Sequence, residues 1–258
     1  MNIVEETIKL GDKSIFFKRW IVPASHKTPI ILLHESLGSV ELWKSFPQRL
    51  AEFLQREVIA YDRLGFGNSS PLEKLSLNFI TEEAQTTFAA VLQHLEIDQF
   101  IVMGHSVGGG MTAVIAAIYP DRCKAAITIS AQSMVEEITR QGIKDAETNF
   151  CNEQFIKKLA KFHGDKAEWV LRAWIDTWLS PSFRNWNIDA YISKIECPLL
   201  VIHGEHDEYA TLSQPERFIQ LSNGYKELKI LKDCGHFPHK EKETEVITAI
   251  QALLQIEI

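Results

Sequence analysis

Phe100-Ile101-Val102-Met103-Gly104-His105-Ser106-Val107-Gly108-Gly109-Gly110-Met111 carries four apolar residues into a G-x-S-x-G turn and straight out into a second apolar stretch. The first part predicts a strand, Phe100 to Met103. Val107 to Tyr119, small or apolar almost all round, predicts a buried helix. Strand, sharp turn and helix in that order present Ser106 on a strained backbone, at the carboxyl end of a sheet where α/β folds bind ligands. Gly104 and Gly108 lack the Cβ atoms that would collide where strand and helix cross. The Ser106 hydroxyl also sits at a helix N-terminus, which favours nearby negative charge. A phosphate loop is the poorer reading of Gly108-Gly109-Gly110. No Lys-Ser/Thr follows it, and the G-x-G-x-x-G spacing is missing.

Outward from this turn, strands and helices alternate. Val4 to Leu10 and Ser14 to Ile21 flank the turn signal Gly11-Asp12 and predict a hairpin. Pro29 to His34 is a continuous apolar run, as expected of a strand buried on both faces. A helix is predicted over Leu42 to Leu54 and a short strand over Val58 to Tyr61. A Gly/Asn/Ser/Pro-rich loop, Gly65 to Pro71, follows. Ala84, Phe88, Val91, Leu92 and Leu95 fall on one face of the next helix, with Thr81 as its expected N-cap. Ala125 to Ile129, Pro198 to His203 and Leu228 to Leu231 supply further strands. Gln214 to Ser222 and Glu241 to Leu254 supply helices. The expected architecture is therefore α/β, a mostly parallel central sheet with helices on both faces.

One segment breaks the alternation. Residues 131–190 read helical and carry Trp169, Trp174, Trp178 and Trp186, four of the six tryptophans. A structureless loop of that length is improbable. The segment is expected to be an inserted helical lid on a core domain formed by residues 1–130 and 191–258. The plain expectation for each tryptophan is packing of lid onto body. Trp174, Trp178 and Phe237 are the aromatic candidates for a mainly apolar substrate pocket.

A serine hydroxyl needs a base. Among nine histidines, His236 in Gly235-His236-Phe237 follows the last apolar strand and can reach back over the sheet edge. His239 is expected at the surface or against the lid, His105 in a structural role, and His203 as a hydrogen-bonded core residue. The imidazole needs a carboxylate partner. Asp207, in Gly204-Glu205-His206-Asp207 after a strand, takes that role ahead of Glu205, Glu208 and Asp233, the last expected to cap its loop. The backbone N–H of Val107 is one candidate donor to an oxyanion.

Composition narrows the rest. The 258 residues are 45% hydrophobic with a net charge of −7, enough for one large α/β domain. No Lys/Arg-rich face points to nucleic acid, no apolar run is long enough for a membrane helix, and no signal-peptide layout opens the chain. A cytoplasmic protein, monomer or homodimer, is expected. Cys123, Cys151, Cys197 and Cys234 form no C-x-x-C pair and are expected as free thiols rather than disulfides or zinc ligands. No metal or cofactor is implied.

Leu32-Leu33-His34-Glu35-Ser36-Leu37-Gly38-Ser39, Asp62-Arg63-Leu64-Gly65-Phe66-Gly67-Asn68-Ser69, Gly104 to Gly110, Gly204 to Asp207 and Gly235-His236 together resemble the signposts of the α/β-hydrolase fold family. Ser106, Asp207 and His236 fall in that family's chain order. The resemblance covers nearly the whole chain except the lid, and is nearest to serine esterases and acyl hydrolases with a helical cap. It implies that the Ser36 N–H completes the oxyanion hole and that His34 pins the loop. It also marks a departure, since Glu35 stands where the family usually has glycine. Glu35 is expected to turn away or to pair with Arg63 or another cation. The sharper alternative is that it contacts the substrate or a water.

The implied activity is cleavage of a small carboxylic ester, or a related acyl compound, through an acyl-enzyme, as in a carboxylesterase. Carbon–carbon bond hydrolysis, lactonase and haloperoxidase-like chemistry use the same three residues and stay open. Phe237 lowers the first of these, because many such enzymes carry tryptophan there. A non-catalytic small-molecule receptor on this fold is the alternative outside enzymes. Arg140, Arg172 and Arg184 are conceivable carboxylate ligands, although each is the kind of charge a helix normally holds in solvent.

Overall fold

A computed structural model describes residues 1–150 and 152–255. Cys151, and residues 256–258 at the end of the expected core domain, lie outside it. The chain opens with a hairpin, β1 (Asn2–Leu10) and β2 (Lys13–Ile21). It continues through β3 (Ile30–Leu33), α1 (Phe46–Leu54), β4 (Val58–Tyr61), α2 (Phe79–Gln85) and α3 (Thr87–His94). The motif segment forms β5 (Phe100–His105) and α4 (Val107–Ile118), followed by β6 (Cys123–Ile129). Four helices come before the next strand: α5 (Glu137–Phe150), α6 (Glu153–His163), α7 (Ala167–Leu179) and the short α8 (Asp189–Ile192). β7 (Leu199–Gly204), α9 (Ser213–Leu221), β8 (Lys226–Leu231), α10 (Pro238–Glu241) and α11 (Glu243–Leu253) finish the chain.

Among the described residues eight strands form one sheet in the order β1-β2-β4-β3-β5-β6-β7-β8. The β1/β2 and β2/β4 pairs are antiparallel, and every pair from β4 to β8 is parallel. Side chains alternate across a strand, so each parallel strand feeds two cores. Ile31, Leu33, Ile59 and Val102 face one core with α2, α3 and α4. Ile30, Leu32, Val58 and Ile101 face the other with α1 and α11. This is why the central strands read as unbroken apolar runs. Among the described residues no helix is long and apolar enough to cross a membrane.

Three expected helices are interrupted. A 3₁₀ turn, Val40–Trp43, precedes α1, and the chain breaks at Lys44, whose φ is 56°. Thr86, with φ −117° and ψ −80°, divides α2 from α3. Thr81 is not an N-cap. It lies inside α2, beyond Asn78, and its hydroxyl meets the Tyr191 hydroxyl at 3.4 Å. Lys242 divides α10 from α11. The apolar stripe survives each break, which is why periodicity does not reveal it. Segment 131–190 is helical as read, with α8 running on to Ile192.

Candidate active site

Ser106 takes φ 56° and ψ −123° between β5 and α4, a conformation costly for a residue with a Cβ. Packing on both sides holds it there. The Ser106 N–H donates to Ile129 O at 2.9 Å. A Cβ on Gly104 would strike the Gly108 carbonyl, and one on Gly108 would strike the Leu33 carbonyl. Glycine is therefore required at both positions for α4 to come this close to the sheet. Ten of the twelve α4 residues are buried.

The loops after β7 and β8 bring two partners to this turn. His236 Nε2 lies 3.0 Å from Ser106 Oγ. His236 Nδ1 lies 2.9 and 2.8 Å from the two Asp207 oxygens. Ser106, Asp207 and His236 are 5%, 8% and 5% exposed, so the array is shielded from bulk water. Burial pushes the Asp207 carboxyl up, but the hydrogen bond and charge of His236, the charge of His203 and the Tyr209 N–H outweigh it and hold the group below the usual aspartate value. An ionised Asp207 fixes the proton on Nδ1 and leaves Nε2 free to accept one.

The neighbouring histidines hold the His236 loop. His105 Nε2 meets His236 O at 2.7 Å. His203 sits 3.7 Å from Asp207 and reaches Ala210 O at 3.4 Å. His239 is buried at 2% exposure in the body, against the expectation of a position at the surface or against the lid. It packs on Trp43, Phe46 and His105 because α10 turns inward immediately after Phe237. Burial lowers the pKa of His105, His203 and His239. Glu205, His206 and Asp233 are exposed, lie close to one another, and do not line the cavity onto which Ser106 opens. Asp233 occupies a turn at φ 48°, its N–H on Glu205. Glu208 accepts the His236 N–H at 3.2 Å.

Glu35 does not pair with Arg63 through its carboxylate. The Arg63 guanidinium instead donates to the Glu35 carbonyl at 3.0 Å and lies over the Phe66 ring. The carboxylate faces His105 Nδ1 at 4.0 Å. Burial raises its pKa, but His105, Lys240 and His34 together bring it below the ordinary glutamate value. His34 holds the loop through Glu35 O at 2.8 Å and the Arg63 N–H at 3.2 Å.

Ser106 and His236 open onto a cavity of about 360 Å³. Glu35, Ser36, Trp174, Trp178 and Phe237, all singled out in the sequence, line it, and Val107 starts α4 beside it. Ile143, Phe150, Phe155, Tyr209 and Gln132 line it too, and no motif or spacing points to them. The first three are ordinary helix-face residues until α5 and α6 are folded over the site. Trp169 packs on Phe66 and Trp186 stacks on Phe183, so both are packing residues. Arg140 donates to the carbonyls of Trp178 and Leu179, and Arg172 pairs with Glu147 and Asp176. Neither arginine lines the cavity, nor does Arg184. Cys123, Cys197 and Cys234 are free and buried.

Residues 28–243 match the alpha/beta hydrolase fold family, and the chain belongs to it. The chain is 26% identical to a proline iminopeptidase of Lactobacillus delbrueckii subsp. bulgaricus over 284 residues, covering 95% of each chain. Among solved structures it is similar to a bacterial membrane phospholipase A, with TM-score 0.80, 20% identity and coverage of 98% of this chain and 86% of that one. It is also similar to the enol-lactonase of Burkholderia xenovorans, with TM-score 0.75, 17% identity and coverage of 97% and 100%.

Proposed function

We propose that the protein is a serine hydrolase that cleaves a small carboxylic ester through an acyl-enzyme. The observation that carries this is the continuous contact from Ser106 Oγ to His236 Nε2 and from His236 Nδ1 to Asp207. In this reading Ser106 Oγ attacks the acyl carbon and His236 Nε2 takes its proton. The oxyanion is held by the N–H groups of Val107 and Ser36. Neither amide has a protein acceptor among the described residues. Collapse returns the proton from Nε2 to the leaving oxygen, and water then repeats the sequence on the acyl-enzyme. Asp207 keeps the imidazole in the required tautomer. The helices of 131–190 serve as the cap, and Trp174, Trp178 and Phe237 form the apolar acyl wall.

The experiment is labelling by a fluorophosphonate, followed by turnover of p-nitrophenyl esters of graded chain length. The reading expects labelling that disappears in Ser106→Ala and hydrolysis of the short esters. Labelling that persists in Ser106→Ala contradicts it. Amide cleavage is the second reading, favoured by the proline iminopeptidase relative that matches 95% of the chain. Release of p-nitroaniline from proline p-nitroanilide faster than p-nitrophenol from any ester decides for it.

A further inference from the structure

The Ser106 hydroxyl has two acceptors and one proton. His236 Nε2 stands 3.0 Å from Oγ and Gln132 Oε1 stands 3.1 Å from it. Gln132 is 4% exposed and lines the cavity. Among the described residues its side chain has one hydrogen-bond partner, the Ser106 hydroxyl. The backbone beside it is fixed, because Ser133 donates its N–H and its hydroxyl to Gln214 Oε1 at 2.7 and 2.9 Å. Gln132 follows β6 and Ser36 follows β3, with β5 and Ser106 between them in the sheet. Gln132 and Ser36 therefore follow the two strands that flank β5.

A carboxamide has one acceptor end and one donor end. With Oε1 on the serine hydroxyl, both N–H groups of Gln132 are directed away from Ser106. With the amide rotated, one N–H meets Oγ and the second remains. In either rotation an unpaired donor is left beside the cavity for whatever occupies it. A purely hydrocarbon acyl chain would desolvate that donor without pairing it. An acyl chain with an oxygen close to its carbonyl carbon would pair it.

Resting on the reading of Ser106 as the nucleophile, we propose that Gln132 is a specificity-determining residue selecting acyl groups with a hydrogen-bond acceptor near the scissile carbonyl, such as alkoxy, hydroxy or keto acyl groups. The test compares p-nitrophenyl methoxyacetate with p-nitrophenyl butyrate, which match in chain length and differ by one ether oxygen in place of a methylene. The ratio of their kcat/KM values is divided by the ratio of their hydroxide-catalysed rates, removing intrinsic reactivity. It is measured in the wild type, in Gln132→Met, and in Gln132→Glu, which keeps the size and removes both N–H groups. Fluorophosphonate labelling of Ser106 is followed in the same preparations.

The corrected ratio should fall about tenfold in both variants, the size of one neutral hydrogen bond, with labelling retained. A ratio equal to that of the wild type, with Ser106 still labelled, overturns the role of Gln132 alone. So does an equal rise or fall on both substrates, which would mark Gln132 as a general brake on the nucleophile. Absence of labelling in the wild type overturns the nucleophile reading and this inference with it.

Discussion

Ser106 at the head of α4 and Thr139, Ile143 and Phe150 of α5 line the cavity, yet the two helices are held in opposite ways. In α4 ten of twelve residues are buried, and its first turn is locked against β3 and β5 by the contacts of Gly104 and Gly108. In α5 only Thr139, Ile143 and Ala146 of fourteen residues are buried. The segment carrying α5 to α8 shares the body's apolar core through residues such as Val170, Trp178, Phe183 and Ile188, and polar contacts fasten its ends. His163 Nδ1 accepts the Gly67 N–H at 2.9 Å and His163 Nε2–H donates to Leu37 O at 3.0 Å. Lys166 Nζ donates to Gly67 O at 2.7 Å. Gln214 and Glu136 fasten the other end. Ser106, Asp207 and His236 follow the carboxyl ends of strands, while the proposed apolar wall draws on a segment in which α5 is lightly buried and α7 packs into the core through Val170, Leu171, Ile175 and Trp178. Chemistry and substrate choice should therefore respond to different substitutions.

The largest effects are expected on the rigid side. Ser106→Ala or His236→Ala should lower kcat for ester hydrolysis by about 10⁴- to 10⁶-fold, because such residues act as a unit. Steady-state rates that stay within about tenfold of the wild type would break the comparison. Gly108→Ala should cost about 3 kcal/mol or more of unfolding free energy, since its Cβ would enter the Leu33 backbone. Urea melts read this directly. On the other side, Trp174→Ala should leave the urea midpoint nearly in place. It should also shift the preferred ester towards longer acyl chains, with changes of about tenfold in kcat/KM. An unchanged chain-length profile would detach Trp174 from the acyl wall.

The smallest effect concerns the tie between insertion and body. Burial lowers the pKa of His163 to about 4. A histidine whose folded value lies below its unfolded value of about 6.5 binds fewer protons when folded. Its contribution is complete above about 6.5 and is lost as pH falls towards 4. His163→Leu should therefore destabilise the protein at pH 8 by about 1 to 3 kcal/mol, through the unpaired Gly67 N–H. That deficit should shrink in acid. A deficit that grows in acid would give His163 the opposite charge state.

The two regions also differ in how far the sequence exposes them. The central strands were legible because burial on both faces produces apolar runs such as Ile30–Leu33, and the β1/β2 hairpin was legible from its Gly11-Asp12 turn. Ser106, Asp207 and His236 were legible because glycines mark the turns that carry them. The breaks at Lys44, Thr86 and Lys242 were hidden, since backbone dihedrals can change while the apolar stripe continues. His239 was misplaced because its burial depends on Trp43 and Phe46, almost two hundred residues earlier in the chain. Gln132 was invisible for the same kind of reason. A lone glutamine after a strand carries no pattern, and its meaning arises only from the position of Ser106.

The central claim is a covalent acyl group on Ser106. Enzyme quenched in acid during turnover of p-nitrophenyl butyrate can be digested and its peptides weighed. A butyryl group on the peptide containing Ser106, absent from Ser106→Ala, is the predicted result. A butyryl group on another residue, or undiminished turnover in Ser106→Ala, would contradict the account.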